Sequence, residues 1–161
     1  MALTFRQALT SERETAERIL RASFTPYVRR LGREITDDAY AFLAAAIERG
    51  DVYLALDGSE VVGVAATERR DSGIYIDRLG VDPARQGSGL GSFLLVRIEE
   101  IARANGLKGL ALETAEMAEG NIRLYRRHGF EIVSRGPPAH GKDPHIRVHM
   151  VKSFKDAETI G

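Results

Sequence analysis

Between Val52 and Leu112 the period of the hydrophobic pattern changes twice, and this limits the fold more than any other feature of the chain. Val52 to Leu56, Val61 to Thr67 and Ile74 to Val81 are apolar, β-prone runs, joined by the hairpin signals Asp57-Gly58-Ser59 and Asp71-Ser72-Gly73. Three antiparallel strands in a meander follow. Beyond Pro83, Leu90, Phe93, Leu94, Ile98, Ile101 and Ala102 recur at helical spacing until Asn105-Gly106, and Leu107 to Leu112 reads as a short buried strand. A strand, a helix and a strand in succession make a parallel pair with a crossover. The chain therefore reads as α/β, with a mixed, mostly antiparallel sheet and helices on both faces.

The flanks add to this frame. Leu3, Phe5 and Gln7 alternate with polar residues as a first strand. Ser11 and Glu14 form a capping-box pattern ahead of a helix carrying Ala16, Ile19, Leu20 and Ser23. A loop with Pro26 and Gly32 leads to Thr36, which caps a second helix through Tyr40, Phe42, Leu43, Ala46 and Ile47 up to Gly50. Ile122, Leu124, Tyr125 and His128 share a short helix closed by Gly129. Phe130 to Val133 and Ile146 to Val151 are the last strands, around the Pro137 to Pro144 loop. One domain over 1–152 is expected, with 153–161 as a tail that frays from Lys155.

Balanced charge, with Lys+Arg 23 against Asp+Glu 23, removes the global attraction on which nonspecific nucleic-acid binding depends. With Cys 0 there are no disulfides, no thiolate nucleophile and no cysteine metal site. No apolar run reaches the roughly 18 residues of a membrane span, and the N-terminus lacks a signal-peptide apolar region. A cytoplasmic protein, with no membrane and no nucleic-acid partner, is expected.

The stretch Val81-Asp82-Pro83-Ala84-Arg85-Gln86-Gly87-Ser88-Gly89-Leu90-Gly91-Ser92 carries the chemistry. Alternating glycines allow close approach to the main chain, and amides at a helix N-terminus face one anion. A phosphate or pyrophosphate suits such a loop. Ser92 and Leu94 stand where a dinucleotide fingerprint needs its last glycine, and no lysine completes a P-loop.

Gln86-Gly87-Ser88-Gly89-Leu90-Gly91 resembles the Gln/Arg-x-x-Gly-x-Gly/Ala signature of the GCN5-related N-acetyltransferases. Leu124-Tyr125-Arg126-Arg127-His128-Gly129-Phe130 is similar to that family's Leu-Tyr-x-x-x-Gly-Phe, in the right order about 40 residues on. The resemblance implies acetyl coenzyme A as co-substrate, its pyrophosphate on the amides from Gln86 or Gly87 through Ser88, Gly89, Leu90 and Gly91 to Ser92. It also implies a pantetheine arm along the backbone of Leu79 and Val81, with Gly80 as the bulge that splays the strand. Asn121 is a further binding candidate. Tyr125 takes the family's role of donating a proton to the departing thiolate.

The base is open between Asp77, Glu113 and a water relay, since Tyr75 stands where many relatives carry glutamate. His140, His145 and His149, with His145, Arg147 and His149 on one strand face, lack the spacing of a zinc site, and no metal is expected. The segment from Phe24 to Asp38, with Tyr27, Arg30 and Arg33, and the Pro137 to Pro144 loop are expected to form the acceptor side. The implied activity is that of an acyltransferase moving acetyl to a primary amine on a small molecule or peptide, by direct attack. The alternative is an acyl coenzyme A sensor without turnover. A homodimer is left open.

Overall fold

The computed structural model describes residues 2–154. Its elements run β1 (Leu3–Gln7), α1 (Arg13–Arg30), α2 (Leu43–Glu48), β2 (Val52–Asp57), β3 (Glu60–Arg70), β4 (Gly73–Val81), α3 (Leu90–Ala104), β5 (Gly109–Ala115), α4 (Glu119–Arg127), β6 (Glu131–Gly136) and β7 (Arg147–Ser153). The seven strands form one sheet in the order β1-β2-β3-β4-β5-β7-β6. Among the described residues only β4 and β5 pair in parallel, across the α3 crossover. No helix among the described residues is long and apolar enough to cross a membrane.

The two sheet faces carry different helices. On one, Ile19 and Leu20 of α1 and Leu43 and Ile47 of α2 cover Val52, Leu54, Val64 and Ala66. On the other, Leu90, Leu94 and Ile98 of α3 and Ile122 of α4 cover Ile74, Ile76, Leu110, Leu112, Val148 and Met150. Each such side chain contributes about 1.5–3 kcal/mol by leaving water, so the layers are held by burial rather than helix propensity.

Four local expectations give way to side-chain chemistry. Ser11 does not cap α1. It lies in a 3-10 turn, Thr10–Glu12, and Glu12 closes the entry by accepting from the Leu9 amide at 2.8 Å and pairing with Arg6 at 2.8 Å. Pro26 does not end the helix, because the apolar stripe continues past it to Leu31, which is 2% exposed, and this packing outweighs one lost backbone bond. The second helix is only Leu43–Glu48. Thr36 donates its hydroxyl to Asp38 at 2.7 Å, a local turn that competes with helix, and Leu43 N–H bonds the Tyr40 carbonyl. His145 precedes β7, because the Asp143 carboxylate turns the chain there by accepting the His145 amide. Only Arg147 and His149 share a β7 face.

β7 runs through Ser153, inside the segment assigned as tail, and Phe154 N–H still bonds the Lys108 carbonyl at 2.8 Å. The expected fraying from Lys155 lies outside the described residues.

Candidate active site

The parallel pairing of β4 with β5 ends at Ile76 opposite Leu112, yet both strands continue, β4 to Val81 and β5 to Ala115. They diverge as a fork. The bulge expected at Gly80 sits instead at Asp77: Thr67 pairs with Ile76 and Ala66 with Arg78, so Asp77 is the extra residue. This one-residue slip changes the phase of the strand. Ile74 and Ile76 face the α3 layer, and beyond Asp77 so do Leu79 and Val81.

The same slip sets the main chain. Asp82 N–H bonds the Val62 carbonyl, so its backbone faces β3, and strand alternation turns Leu79 and Val81 away from β3 into the fork. Gly80 is glycine for another reason. A Cβ there would lie 2.9 Å from Leu20 Cδ2 and 3.3 Å from Ser23 Cβ, so its absence lets α1 cross the strand closely.

At the end of β4 the chain turns into α3. Asp82 accepts from the Ala84 amide, and Arg85 is tied to Asp57 and Glu60 of the β2–β3 hairpin, each at 2.7 Å. Gln86 is extended, Gly87 has φ +83° and Gly89 φ +85°, backbone that side chains other than glycine resist. Ser88 bonds the Arg85 carbonyl. The helical ladder begins with Phe93 N–H to the Gly89 carbonyl, leaving the amides of Leu90, Gly91 and Ser92 ahead of it. α4 packs on this first turn: a Cβ at Gly91 would lie 3.3 Å from Leu124, and Ser92 Oγ lies 2.9 Å from His128 Nε2. Burial, with Lys152 and Arg127 nearby, lowers the His128 pKa from its ordinary value.

Tyr125 lies on α4 against Phe130, with ring centroids 5.9 Å apart. Tyr125 is half-buried, and this burial, aided by the nearby Tyr27, pushes its pKa up to about 12. Asn121 Nδ2 is 3.4 Å from Thr114 Oγ1, tying the start of α4 to the far branch of the fork. At the mouth, Asp77 pairs with Arg78 at 3.1 Å, and Glu113 faces His149 at 3.6 Å. Burial raises the pKa of Tyr75 between them, and both carboxylates add to the shift. Arg70 lies over the Tyr75 ring, 3.8 Å from its centroid. The three histidines form no group with other ligands that would hold a metal among the described residues.

The fold thus brings Leu79, Gly80, Val81, the loop from Gln86 to Ser92, Asn121 and Tyr125 to the fork and its loop. Two participants, Ser23 and Asp143, escaped the sequence, and Tyr27, expected on the acceptor side, ties α1 to β5. Ser23 Oγ accepts the Val81 amide at 3.2 Å, and Tyr27 Oη accepts the Ala115 amide at 2.9 Å. Asp143, with its side chain 1% exposed, joins Arg33 to Arg147. A signal for the first was available, since Ser23 is a polar residue on the apolar stripe of α1.

The diverging strands of a mixed sheet make a fork that ends at the first-turn amides of α3, behind a glycine-rich entry. Residues 13–130 match the model of the acetyltransferase (GNAT) family, and the chain belongs to that family. It is 42% identical over 87 residues to the IAA acetyltransferase of Azospirillum brasilense, a match covering 52% of this chain and 56% of that protein. The match thus spans little more than half of that relative. Ard1 from Thermoplasma volcanium shares the fold with a TM-score of 0.80 at 19% identity, over 97% of this chain and 100% of that one. The PaiA N-acetyltransferase of Thermoplasma acidophilum, solved in complex with coenzyme A, gives 0.77 at 16% identity over 96% and 100%.

Proposed function

We propose that the protein is an N-acetyltransferase that moves acetyl from acetyl coenzyme A to a primary amine by direct attack in a ternary complex. The observation that carries this reading is the fork, where Leu79 and Val81 turn main-chain groups into a slot that ends at the amides of Leu90, Gly91 and Ser92. A long thioester with a pyrophosphate fits both parts. The loop from Gln86 to Ser92 binds the pyrophosphate, the Leu79–Val81 edge holds the arm, and Asn121 steadies it from α4.

In this reading the fork aligns the amine with the thioester carbonyl, and such orientation is worth several kcal/mol. The amine nitrogen forms the new bond to the carbonyl carbon while the carbon–sulfur bond breaks. Tyr125 faces the sulfur and supplies a hydrogen bond or a proton to it. Asp77, Glu113 or a water between them takes the proton lost by the amine. The acceptor is a small-molecule or peptide amine, held by the Phe24 to Asp38 segment, which runs from the last turns of α1 into the connection after it, and by the Pro137 to Pro144 loop.

The test is Gly89→Glu. No atom crowds the position within 4 Å, so the variant meets only the positive φ and the added charge at the anion site. Calorimetry should show coenzyme A binding weakened at least tenfold. Binding equal to wild type by a folded variant would remove the loop assignment. An amine panel with acetyl coenzyme A, read by free thiol, then separates the enzyme from an acyl coenzyme A sensor, which would release none above background.

A further inference from the structure

α1 crosses the fork with one polar contact to each branch. Leu20, Ser23, Tyr27 and Leu31 follow one another at helical spacing, so they lie on one side of the helix. Ser23 bonds the amide of Val81 on the β4 branch and Tyr27 that of Ala115 on the β5 branch. The Val81 amide faces the opening left by the divergence, and a polar group there without a partner is costly.

The Val81 amide, expected to meet the coenzyme arm directly, is therefore already engaged. A serine hydroxyl can accept and donate at once. Ser23 accepts from Val81, and among the described residues no acceptor receives its own proton. Thr25 on the same helix behaves differently, returning its proton to the Arg21 carbonyl at 2.6 Å in the usual way for a helical hydroxyl. Ser23 remains partly exposed beside the slot, and the missing side chain at Gly80 lets it come this close.

We propose that Ser23 is a coenzyme-binding residue, whose hydroxyl holds the Val81 amide on one side and donates its proton to a carbonyl oxygen of the pantetheine arm on the other. This rests on the reading of the fork as the acyl coenzyme A slot. Val81 then acts on the arm through Ser23, and Leu79 is the main-chain contact that acts directly. Tyr27 fixes the helix on the opposite branch, so that Ser23 keeps its place over the strand.

Calorimetry with two ligands tests the assignment: coenzyme A, and 3′-phosphoadenosine 5′-diphosphate, which keeps the nucleotide and pyrophosphate but lacks the arm. Ser23→Ala should weaken coenzyme A by about three- to tenfold, the scale of one hydrogen bond, and leave the armless ligand unchanged. Ser23→Thr, which keeps a hydroxyl, should bind coenzyme A within about twofold of wild type. Unchanged or tighter coenzyme A binding by Ser23→Ala would overturn the proposal, because the hydroxyl would then be neutral or a competitor for the Val81 amide. So would an equal loss for both ligands, or a loss in Ser23→Thr as large as in Ser23→Ala. Wild-type protein that binds neither ligand would instead remove the coenzyme reading of the fork.

Discussion

Tyr125 keeps its proton well past neutrality, because burial of the half-buried side chain disfavours the phenolate and pushes its pKa up to about 12. A thiol ordinarily ionises near 8.5, so complete transfer from Tyr125 to a thiolate runs uphill in this environment. The hydroxyl is better suited to hydrogen-bond the developing charge on sulfur than to surrender its proton early. Tyr125→Phe should therefore lower kcat toward the low end of the about 10²- to 10⁴-fold typical of general acids, with coenzyme affinity little changed. Unchanged kcat with chemistry rate-limiting would take Tyr125 out of the mechanism. The same shift has a stability consequence with a defined sign. The folded pKa of about 12 lies above the unfolded value of about 10, so the contribution is full below pH 10 and is lost as pH rises through 12. Alkaline unfolding of Tyr125→Phe should lack this part of the pH dependence, which a melting series between pH 9 and about 12 would register.

Elements announced by turn signals and hydrophobic period were legible, and those decided by side-chain hydrogen bonds or distant packing were not. The three-strand meander follows from its two turn signals, and α3 from its stripe and its Asn105-Gly106 end. The passage of α1 through Pro26 depends on the buried Leu31, and the shortness of α2 on the turn made by Thr36 and Asp38, neither visible in hydrophobic spacing. The slip at Asp77 was hidden because a bulge is a property of two strands, and Asp77 departs from β3 only when Thr67 and Ala66 are laid against β4. The entry to α1 lies two residues off the expected Ser11 to Glu14 pattern, since the carboxylate that closes the 3-10 turn leading into the helix is Glu12 rather than Glu14. That correction is testable. Arg6, the largest cause, with the Leu9 amide, lowers the pKa of Glu12 to about 2, so its contribution is present above pH 4.5 and lost as pH falls through 2. Glu12→Gln should cost about 1 kcal/mol and lower Tm by about 2–4 °C near neutrality, with most of the difference from wild type gone by about pH 2. Glu14→Gln, in contrast, should leave Tm unchanged.

Across the whole molecule the candidate site divides into a part written locally and a part assembled by the fold. Gly87 and Gly89 announce themselves because their positive φ is a local backbone requirement, and the Tyr125 to Phe130 run because it is similar to the family's motif. Ser23, 58 positions from Val81, and Arg33, 110 from Asp143, acquire meaning only when the sheet forms. Asp143 is the clearest instance at this scale. Its buried carboxylate accepts from Arg147 at 3.0 Å, from Arg33 at 3.2 Å and from the His145 amide at 3.0 Å, joining the connection after α1 to the loop before β7. Hydrogen bonding to Arg147, then the His145 amide and Arg33, holds its pKa far below the ordinary carboxylate range, so it stays ionised at any working pH. Arg33 and Asp143 lie within the expected acceptor walls, Phe24 to Asp38 and Pro137 to Pro144, and neither wall supplies the pyrophosphate loop or the β4 edge. Asp143→Ala leaves the Arg147 guanidinium, 7% exposed, without its main partner, and breaking a buried pair in this way costs about 3–5 kcal/mol. Asp143→Asn keeps the shape and one acceptor oxygen, so its loss of stability should be smaller. With the walls untied but the fork intact, the acceptor KM in Asp143→Asn should rise severalfold while coenzyme A affinity stays at the wild-type value. Steady-state kinetics with the amine found in the panel, beside calorimetry on the same preparation, makes the comparison. A parallel fall in both affinities would mean that Asp143 supports the whole sheet end rather than the acceptor walls.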